Sequence, residues 1–567
     1  MGIRPEELRE LERMFPGRVT AEAVERRLYS HDVGAMPRLI RPLLGKALAD
    51  GVVQPRSEEE VVRLVRWAAE RRIPLTPRAK ATSGYGGVIP AQGGIVADLS
   101  RLRGVVAIDE AAQTVTVQPS TVWQELEGEL GKRGLALRLY PSSAPSSTVA
   151  GWLAQGGVGY GSFEHGPFRD SVASARVLLP TGEVRAFQGE DLDLVSEAEG
   201  ITGIILEVTL RVRPAQEEAL WAAQFPTAAD LAAALQEITA RELPLWSVSF
   251  INPRMAALKN QLPPKIEHGH PVEEHRPRLP EAYLALFVAP ASRRAEVEPK
   301  LLAAIAAHKG SPLSEELARH EWEARFEIMH VKRLGPSLVP AEVVVPLDGL
   351  AATLEEIDRT VHQPFVAEGM LCRAGAGYEA TLLGFIPHDE RKFTYNLAFG
   401  LSLSVLKAAK AHGGRAYSTG LYFKGEAGQV LGRARLERLA AFKAQADPQG
   451  VMNPGKVLGG SPLASFMGLA QAFEPLVRAV ANPAGSPVGE RPEGAGRRGV
   501  PDEVAWYAYA CAQCGACVDE CDQYYGRVWE SSAPRGKWFF LREFMEGRAR
   551  MTQEWVDRFL ACTTCEL

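Results

Sequence analysis

Apolar and polar residues recur with two different periods along this chain. In EEVVRLVRWAAERR (59–72) the apolar positions return every three or four residues, which predicts an amphipathic helix. IPLTP (73–77) reads as a strand, and VVAIDEAAQTVTVQP (105–119) as a hairpin whose β-branched runs are interrupted by a short polar turn. Strand and helix patterns interleave in this way from Val52 to about Pro214, between glycine-rich turns, so the region 46–215 is expected to be an α+β domain. Residues 1–45, rich in Glu, Arg and Leu, read as a helical lead-in.

From 216 to 400 helical patterns (AADLAAALQEITARE, ATLEEIDRTVHQ) mix with strands such as AEVVVPL, and glycine clusters thin out. This stretch is expected to be a second α+β domain laid over the first. A helix over 401–412, the glycine- and tyrosine-rich GGRAYSTGLYFKGEAG, a helix over 433–446 and DPQGVMNPGKVL form a closing segment, 401–460. Residues 461–505 read as a linker, with Pro, Gly and Arg concentrated over 480–503. The last unit is 506–567.

A chain of 567 residues exceeds a single core. The net charge of −5 and the lack of a basic, aromatic-studded stretch give nucleic acid no footing. Apolar runs such as YLALFVAPAS (283–292) fall well short of the roughly 18 residues that cross a bilayer. The start MGIRPEELRELERMF has no secretory pattern, so the expected location is cytoplasmic, with peripheral attachment to the inner face of the membrane allowed. Thiols there stay reduced.

Six of the seven cysteines lie beyond residue 510, as Cys511-x-x-Cys514-x-x-Cys517-x-x-x-Cys521 and Cys562-x-x-Cys565. This is the ligand spacing of iron–sulfur clusters, in which three close thiolates hold one cube and the displaced fourth serves the other. Cys511, Cys514 and Cys517 are thus assigned to cluster one, and Cys521, Cys562 and Cys565 to cluster two. The missing thiolate of cluster two is expected at position 568, one past Leu567, so both ligand sets are expected to be incomplete here, with iron below eight atoms per chain and a longer iron–sulfur polypeptide in prospect. Zinc is the weaker reading, since the first motif packs its thiolates too tightly for two ordinary zinc half-sites. Cys372 stands alone and reads as a small buried hydrophobe. His268, His270 and His275, near Glu273 and Glu274, lack metal-ligand spacing and read as a solvated loop.

Three glycine clusters follow predicted strands: Pro77-Arg-Ala-Lys-Ala-Thr-Ser-Gly-Tyr-Gly-Gly87, the run from Ser146 to Gly161, and Glu199-Gly-Ile-Thr-Gly-Ile-Ile205. Small residues let backbone N–H groups approach a pyrophosphate. No dinucleotide GxGxxG follows a strand, and no Walker loop is present.

Taken in order, PRAKATSGYGG, PSSAPSSTVAGWLAQGGVGYG, HGPFRDSVASARVLLPTGEV, AEGITGIILEVTLRVRP and ADPQGVMNPGKVL resemble the FAD-linked oxidases of the vanillyl-alcohol oxidase superfamily, nearest to the glycolate oxidase and D-lactate dehydrogenase branch. The tail, CAQCGACVDECDQYYG to ACTTCEL, resembles the start of a glycolate oxidase iron–sulfur subunit. The resemblance implies a PCMH-type two-subdomain FAD-binding domain with an α+β cap, then an α-helical ferredoxin-like 4Fe-4S segment. It places the cofactor against Pro77, Arg78, Ala79, Lys80, Ala81, Thr82, Ser83 and Gly84. The second loop contributes Pro141, Thr148, Gly151, Trp152, Gly156, Gly157 and Gly159. Glu199, Gly200, Gly203 and Ile205 match the ribityl and adenine side, and Asn453 and Lys456 the closing turn. Covalent members carry a histidine where this chain has Thr82 and Ser83, so FAD is expected to be noncovalent.

Hydroxy-acid oxidising relatives carry GHxGDGNxH and a Glu-His-Gly segment that hold a divalent ion and take a proton. Their counterparts here, LCRAGAGYEATLLG and Gly414–Phe423, contain neither. The candidates left are Tyr417, Tyr422, Arg415 and Lys424, which can bind an anion and polarise a hydroxyl, with His412 as a further base. Glu321-Trp-Glu-Ala-Arg325 resembles the family's Trp-x-x-Arg, whose arginine approaches the substrate carboxylate.

The expected activity is FAD-dependent oxidation of a small anionic alcohol such as a 2-hydroxy acid, with electrons passing to the clusters and on to a downstream acceptor or iron–sulfur subunit, in a homo-oligomer or hetero-complex. Two alternatives remain open: another alcohol handled by tyrosine, and a noncatalytic electron-transfer subunit.

Overall fold

The computed structural model describes residues 2–264, 266–267, 270–271, 276–486, 488 and 496–562. Cys565 and the three histidines at 268, 270 and 275 lie outside what can be described of side chains.

Parallel strands Gly51–Val53, Ile95–Asp98 and Leu75–Arg78 form a first sheet, with Val19–Thr20 added antiparallel at its edge. Helix Glu58–Arg71 covers it through Leu64, Val65 and Ala68, which pack with Leu75, Ile95 and Ala97. Ser57 starts that helix by accepting from Glu60 N–H, and three glutamates sit at its positive end. The hairpin Val105–Asp109/Thr114–Val117 joins a second, antiparallel sheet with Ile204–Pro214, Val172–Leu178 and Val184–Gln188.

The cap is one large antiparallel sheet that runs from Ser311–Pro312 through Glu218–Phe225, Tyr283–Pro290, Ser247–Ile251, Val366–Ala374, Gly377–His388 and Val343–Pro346 to Arg415–Ala416. Strand Glu218–Phe225 shows how the two domains meet. Its odd positions Ala219, Trp221, Ala223 and Phe225 pack under helices Ala228–Ala240 and Arg294–Ala307. Its even positions Leu220 and Ala222 enter a core shared with Trp123, Trp152 and Val208 of the first domain. Both faces are apolar because both are covered.

The cysteine-bearing tail is helical, with Asp502–Ala510, Pro534–Met545 and Gln553–Leu560 as its longer elements. It does not hang free. Phe539, Phe540 and Trp555 form a cluster with Val24, Leu28 and Tyr29 of the lead-in and Val52 and Val96 of the first sheet. Helix Ala23–Leu28 is therefore an adaptor: Glu25 accepts from Ser531 and Arg558, and Arg27 pairs with Glu543 at 2.7 Å.

The expected linker 461–505 contains two helices, Pro462–Ala472 and Glu474–Ala481. Ser461 caps the first, accepting from Ala464 N–H at 3.0 Å. The Pro/Gly/Arg composition that suggested a linker begins only after these helices, so that boundary was drawn too early.

Candidate functional site

A cleft of about 960 Å³, open at its mouth, runs through the first domain between segment 77–83, the helix Val149–Gln155 and segment 199–205. Pro77, Arg78, Ala79, Lys80, Ala81, Thr82, Ser83, Thr148, Gly151, Trp152, Glu199, Gly200, Gly203 and Ile205 line it. Asp32, Val88, Leu99, Pro119, Ser120 and Ser143 also line it, none of them assigned to the cofactor from the sequence, as do Gly87, Ser147 and Gln155 of the glycine clusters. Ser143 was within sight in SSAPSS; Asp32 gave no signal, because it comes from the lead-in.

Gly84, Pro141, Gly156, Gly157 and Gly159 are not among the lining residues, and their roles are architectural. Gly157, at φ +134, lies where a Cβ would overlap the Tyr417 hydroxyl and the Trp152 indole nitrogen. Asn453 and Lys456 stand behind the wall. Asn453 Nδ2 donates to Gly87 O at 2.9 Å and Glu199 O at 2.6 Å, tying two cleft segments together, and Lys456 Nζ donates to Ile89 O.

One end of the cleft gathers charged groups out of water. Burial pushes Glu199 up to about 8, partly opposed by Lys456. Asp32 is pushed up to about 6 by burial, opposed by the N–H groups of Gly86 at 2.6 Å and Gly34 at 3.0 Å. Burial drives Lys456 down, against the pull of Glu199 and Asp32. The Tyr422 hydroxyl, buried beside Asp32, has no partner.

Tyr417 sits where the glycine turn meets the cap. Its hydroxyl accepts from Val158 N–H at 3.4 Å, and its ring lies 6.0 Å from that of Tyr85. Tyr85 donates to Glu342, whose carboxyl burial raises to about 7. Two residues along the same turn, Tyr160 donates to Arg325 O at 2.9 Å and to Glu368 at 2.8 Å. Arg325 borders a cap cavity of about 590 Å³ together with Lys259, Glu321, Glu368 and Tyr160. Its guanidinium lies over Trp322 at 4.2 Å and Phe326 at 4.4 Å, donates to Trp322 O at 2.5 Å, and keeps a buried Nε without a partner.

The structure does not bring Arg415 to this place. It is held by both oxygens of Glu379 at 2.7 and 2.8 Å, because strand Arg415–Ala416 pairs at the sheet edge beside Val343–Pro346. Lys424 donates to Gly455 O at 3.1 Å, and His412 bonds Glu356 at 2.9 Å on the helical side of the cap. Neither is a base at the cleft.

Cys511, Cys514 and Cys517 lie in one half-buried turn close enough to feel each other's charge. Cations crowd it: Lys332 of the cap donates to Cys511 O at 2.9 Å, and Arg542 and Arg535 face the same thiols. Cys521 and Cys562 share a largely apolar cavity of about 1240 Å³ with Trp538, Leu541 and Phe559. Arg535 joins this unit to the cleft, donating to Lys80 O at 2.6 Å while packed against Gly515, between Cys514 and Cys517.

Comparison with known families assigns residues 49–188 to an FAD binding domain, 214–457 to the C-terminal domain of FAD linked oxidases, and 510–567 to a 4Fe-4S dicluster domain. The chain is an FAD-linked oxidase with a 4Fe-4S dicluster domain. It is 27% identical over 434 residues to a mitochondrial D-lactate dehydrogenase [cytochrome] of Arabidopsis thaliana, covering 72% of this chain and 74% of that one. It is 24% identical over 456 residues to glycolate oxidase subunit GlcD of Bacillus subtilis, covering 76% and 92%. In fold it is similar to p-cresol methylhydroxylase, with a TM-score of 0.66 at 15% identity over 80% of this chain and 98% of that one.

The residues of this FAD-linked oxidase fit both cofactors. Ser83, Ser120 and Ser147 hydroxyls and Glu199 Oε1 are buried on the cleft wall without a protein partner, as donors and acceptors awaiting a polar ligand. Among the described residues no three His, Cys, Asp or Glu side chains converge on a single-ion site. A cube spreads its thiolates farther apart than one ion does, and the surrounding cations and apolar walls suit an anionic cluster.

Proposed function

We propose that this FAD-linked oxidase dehydrogenates a small anionic alcohol of the 2-hydroxy-acid kind and delivers the electrons to its dicluster domain. The observation that carries the reading is Arg325: a half-buried side chain fixed by aromatic faces, with its buried Nε left unpaired, at a cavity on the cap face that turns toward the first domain. A planar fork in that position suits a carboxylate. The names of the Arabidopsis and Bacillus relatives support the same substrate class.

The cleft walls around Ser83, Ser120, Ser147 and Glu199 would hold FAD, which would supply a hydride acceptor able to release electrons singly. The chain's own residues supply position and proton traffic. Tyr417, accepting from Val158 N–H, keeps its own proton for a substrate oxygen. Glu342, whose carboxyl burial raises to about 7 and which accepts from Tyr85, takes up a proton nearby from its ionised form. Arg325 fixes the anionic end, and the cap shuts out water. The clasp of Arg535 on Lys80 O and Gly515 supports an order in which a cluster held by Cys511, Cys514 and Cys517 would lie nearest the cofactor loop and one held by Cys521 and Cys562 would lie toward the open cavity.

Another alcohol handled by tyrosine is the second reading, favoured by the Tyr417, Tyr85 and Glu342 grouping, which needs no carboxylate on the substrate. Anaerobic bleaching of the flavin by glycolate, D-lactate and D-2-hydroxyglutarate, against neutral and aryl alcohols, separates the two. Reduction by dithionite alone would reject both and leave an electron carrier.

A further inference from the structure

Helices Pro462–Ala472 and Glu474–Ala481 carry two ionisable side chains, Glu474 and Arg478, and pair them with each other at 3.2 Å. Glu474 is 2% exposed and accepts from Ser404 at 2.7 Å and Lys407 at 2.9 Å. The hairpin's outward face is therefore left to Phe466, Leu469, Phe473, Leu476 and Val480, each between 44% and 66% exposed. Leu39 stands beside them, 64% exposed, across a groove of about 880 Å³. With Phe393, these make seven of the fourteen large apolar side chains that the described residues expose. Such concentration is not the scatter of an ordinary surface.

Cations outnumber acids around this face: segments 36–43, 392–410 and 459–484, which build it, contain six Lys and Arg and one acid, Glu474, in a chain whose net charge is −5, and acids from outside these segments pair two of the six, Glu546 with Arg38 at 3.9 Å and Glu426 with Lys410 at 2.6 Å. We propose that this face seats on an anionic lipid bilayer, the hairpin dipping its phenylalanines and leucines into the headgroup boundary while Arg38 and Arg41 at its rim meet lipid phosphates. A protein partner is the poorer occupant. Protein interfaces carry about one hydrogen bond per 100–200 Å², whereas the fully exposed positions of these two helices offer one polar side chain, Ser465. Two short helices with an aromatic, aliphatic face and a basic rim are built as interfacial elements are. No helix among the described residues is long and apolar enough to cross a membrane, so the attachment is to one surface. The proposal stands apart from the substrate assigned above.

The test is sedimentation of the flavin-loaded protein with vesicles of phosphatidylglycerol or phosphatidylcholine, at low and high salt. The expected result is binding to the anionic vesicles, weakened by salt, and a bound fraction that falls about tenfold in Leu469→Glu/Phe473→Glu, which removes two apolar anchors and adds like charge. That variant should keep its flavin spectrum and melting temperature, since both positions are exposed. Wild-type protein that stays in the supernatant, or binding the substitutions leave intact, would overturn the proposal. So would a dimer in light scattering that the double variant splits, which would give this face to a second copy of the chain.

Discussion

Arg78 and Glu530, 452 residues apart, meet as a two-pronged ion pair at 2.8 and 3.0 Å with both side chains fully withdrawn from water. Arg78 begins the cofactor loop, and Glu530 belongs to the dicluster domain. Lys80 repeats the arrangement, reaching Asp519 at 2.5 Å. The two cations of the loop are thus spent on holding the iron–sulfur unit, and the cleft is left to hydroxyls and backbone.

Glu530→Gln strands the Arg78 charge in the interior, and breaking such a pair costs about 3–5 kcal/mol. We expect a lower melting temperature and faster amide hydrogen exchange over 77–83. The paired replacement Arg78→Met/Glu530→Met should recover the part of the loss that comes from the stranded Arg78 charge, while Arg535, 3.7 Å from Glu530, still loses its partner.

Acid should undo the same contact. Burial works against ionisation of Glu530, but Arg78 and Arg535 outweigh it and hold its carboxyl at about 2 against an ordinary 4.5. A depressed carboxyl stabilises the folded state fully above its unfolded pKa, and that contribution drains away as pH falls toward the folded one. Limited proteolysis with an acid-active protease should show the C-terminal unit loosening between pH 4.5 and 2, and the Met/Met pair should lack this transition.

Arg325→Met should raise KM for carboxylate substrates roughly 10- to 100-fold, the worth of one charged hydrogen bond, and leave any neutral alcohol unaffected. Equal losses on both kinds of substrate would mean that Arg325 only packs against Trp322 and Phe326.

Tyr417→Phe should lower kcat about a hundredfold with the flavin spectrum unchanged. Phe fits the same space beside Gly157, so a fall in flavin content instead would make Tyr417 a structural support.

Cys514→Ser should abolish the cluster's visible absorption and cut the iron content, while substrate still bleaches the flavin under anaerobic conditions. Loss of bleaching in that variant would place the cysteine's role on the flavin side.

The periodic segments were legible because local pattern and tertiary packing agree there: helix Glu58–Arg71 and the hairpin at 105–117 follow from spacing alone. Much of the cleft wall was legible too, through its small residues. Arg415 was not, since nothing local shows that Glu379 lies across the sheet edge from it. Arg78 and Lys80 stood among the residues expected against the cofactor, and nothing local shows their ion-pair partners, which come more than 400 positions later. Asp32 and the adaptor helix Ala23–Leu28 were opaque for the same reason: amphipathic lead-ins look alike whatever they pack against.

Strand Glu218–Phe225, apolar on both sides, makes cap and base a single welded body. A clamshell opening would tear Leu220 and Ala222 out of a tryptophan-rich interior, so the lid cannot swing. The route to the cleft therefore has to lie between side chains at its rim and not through a parting of the two domains.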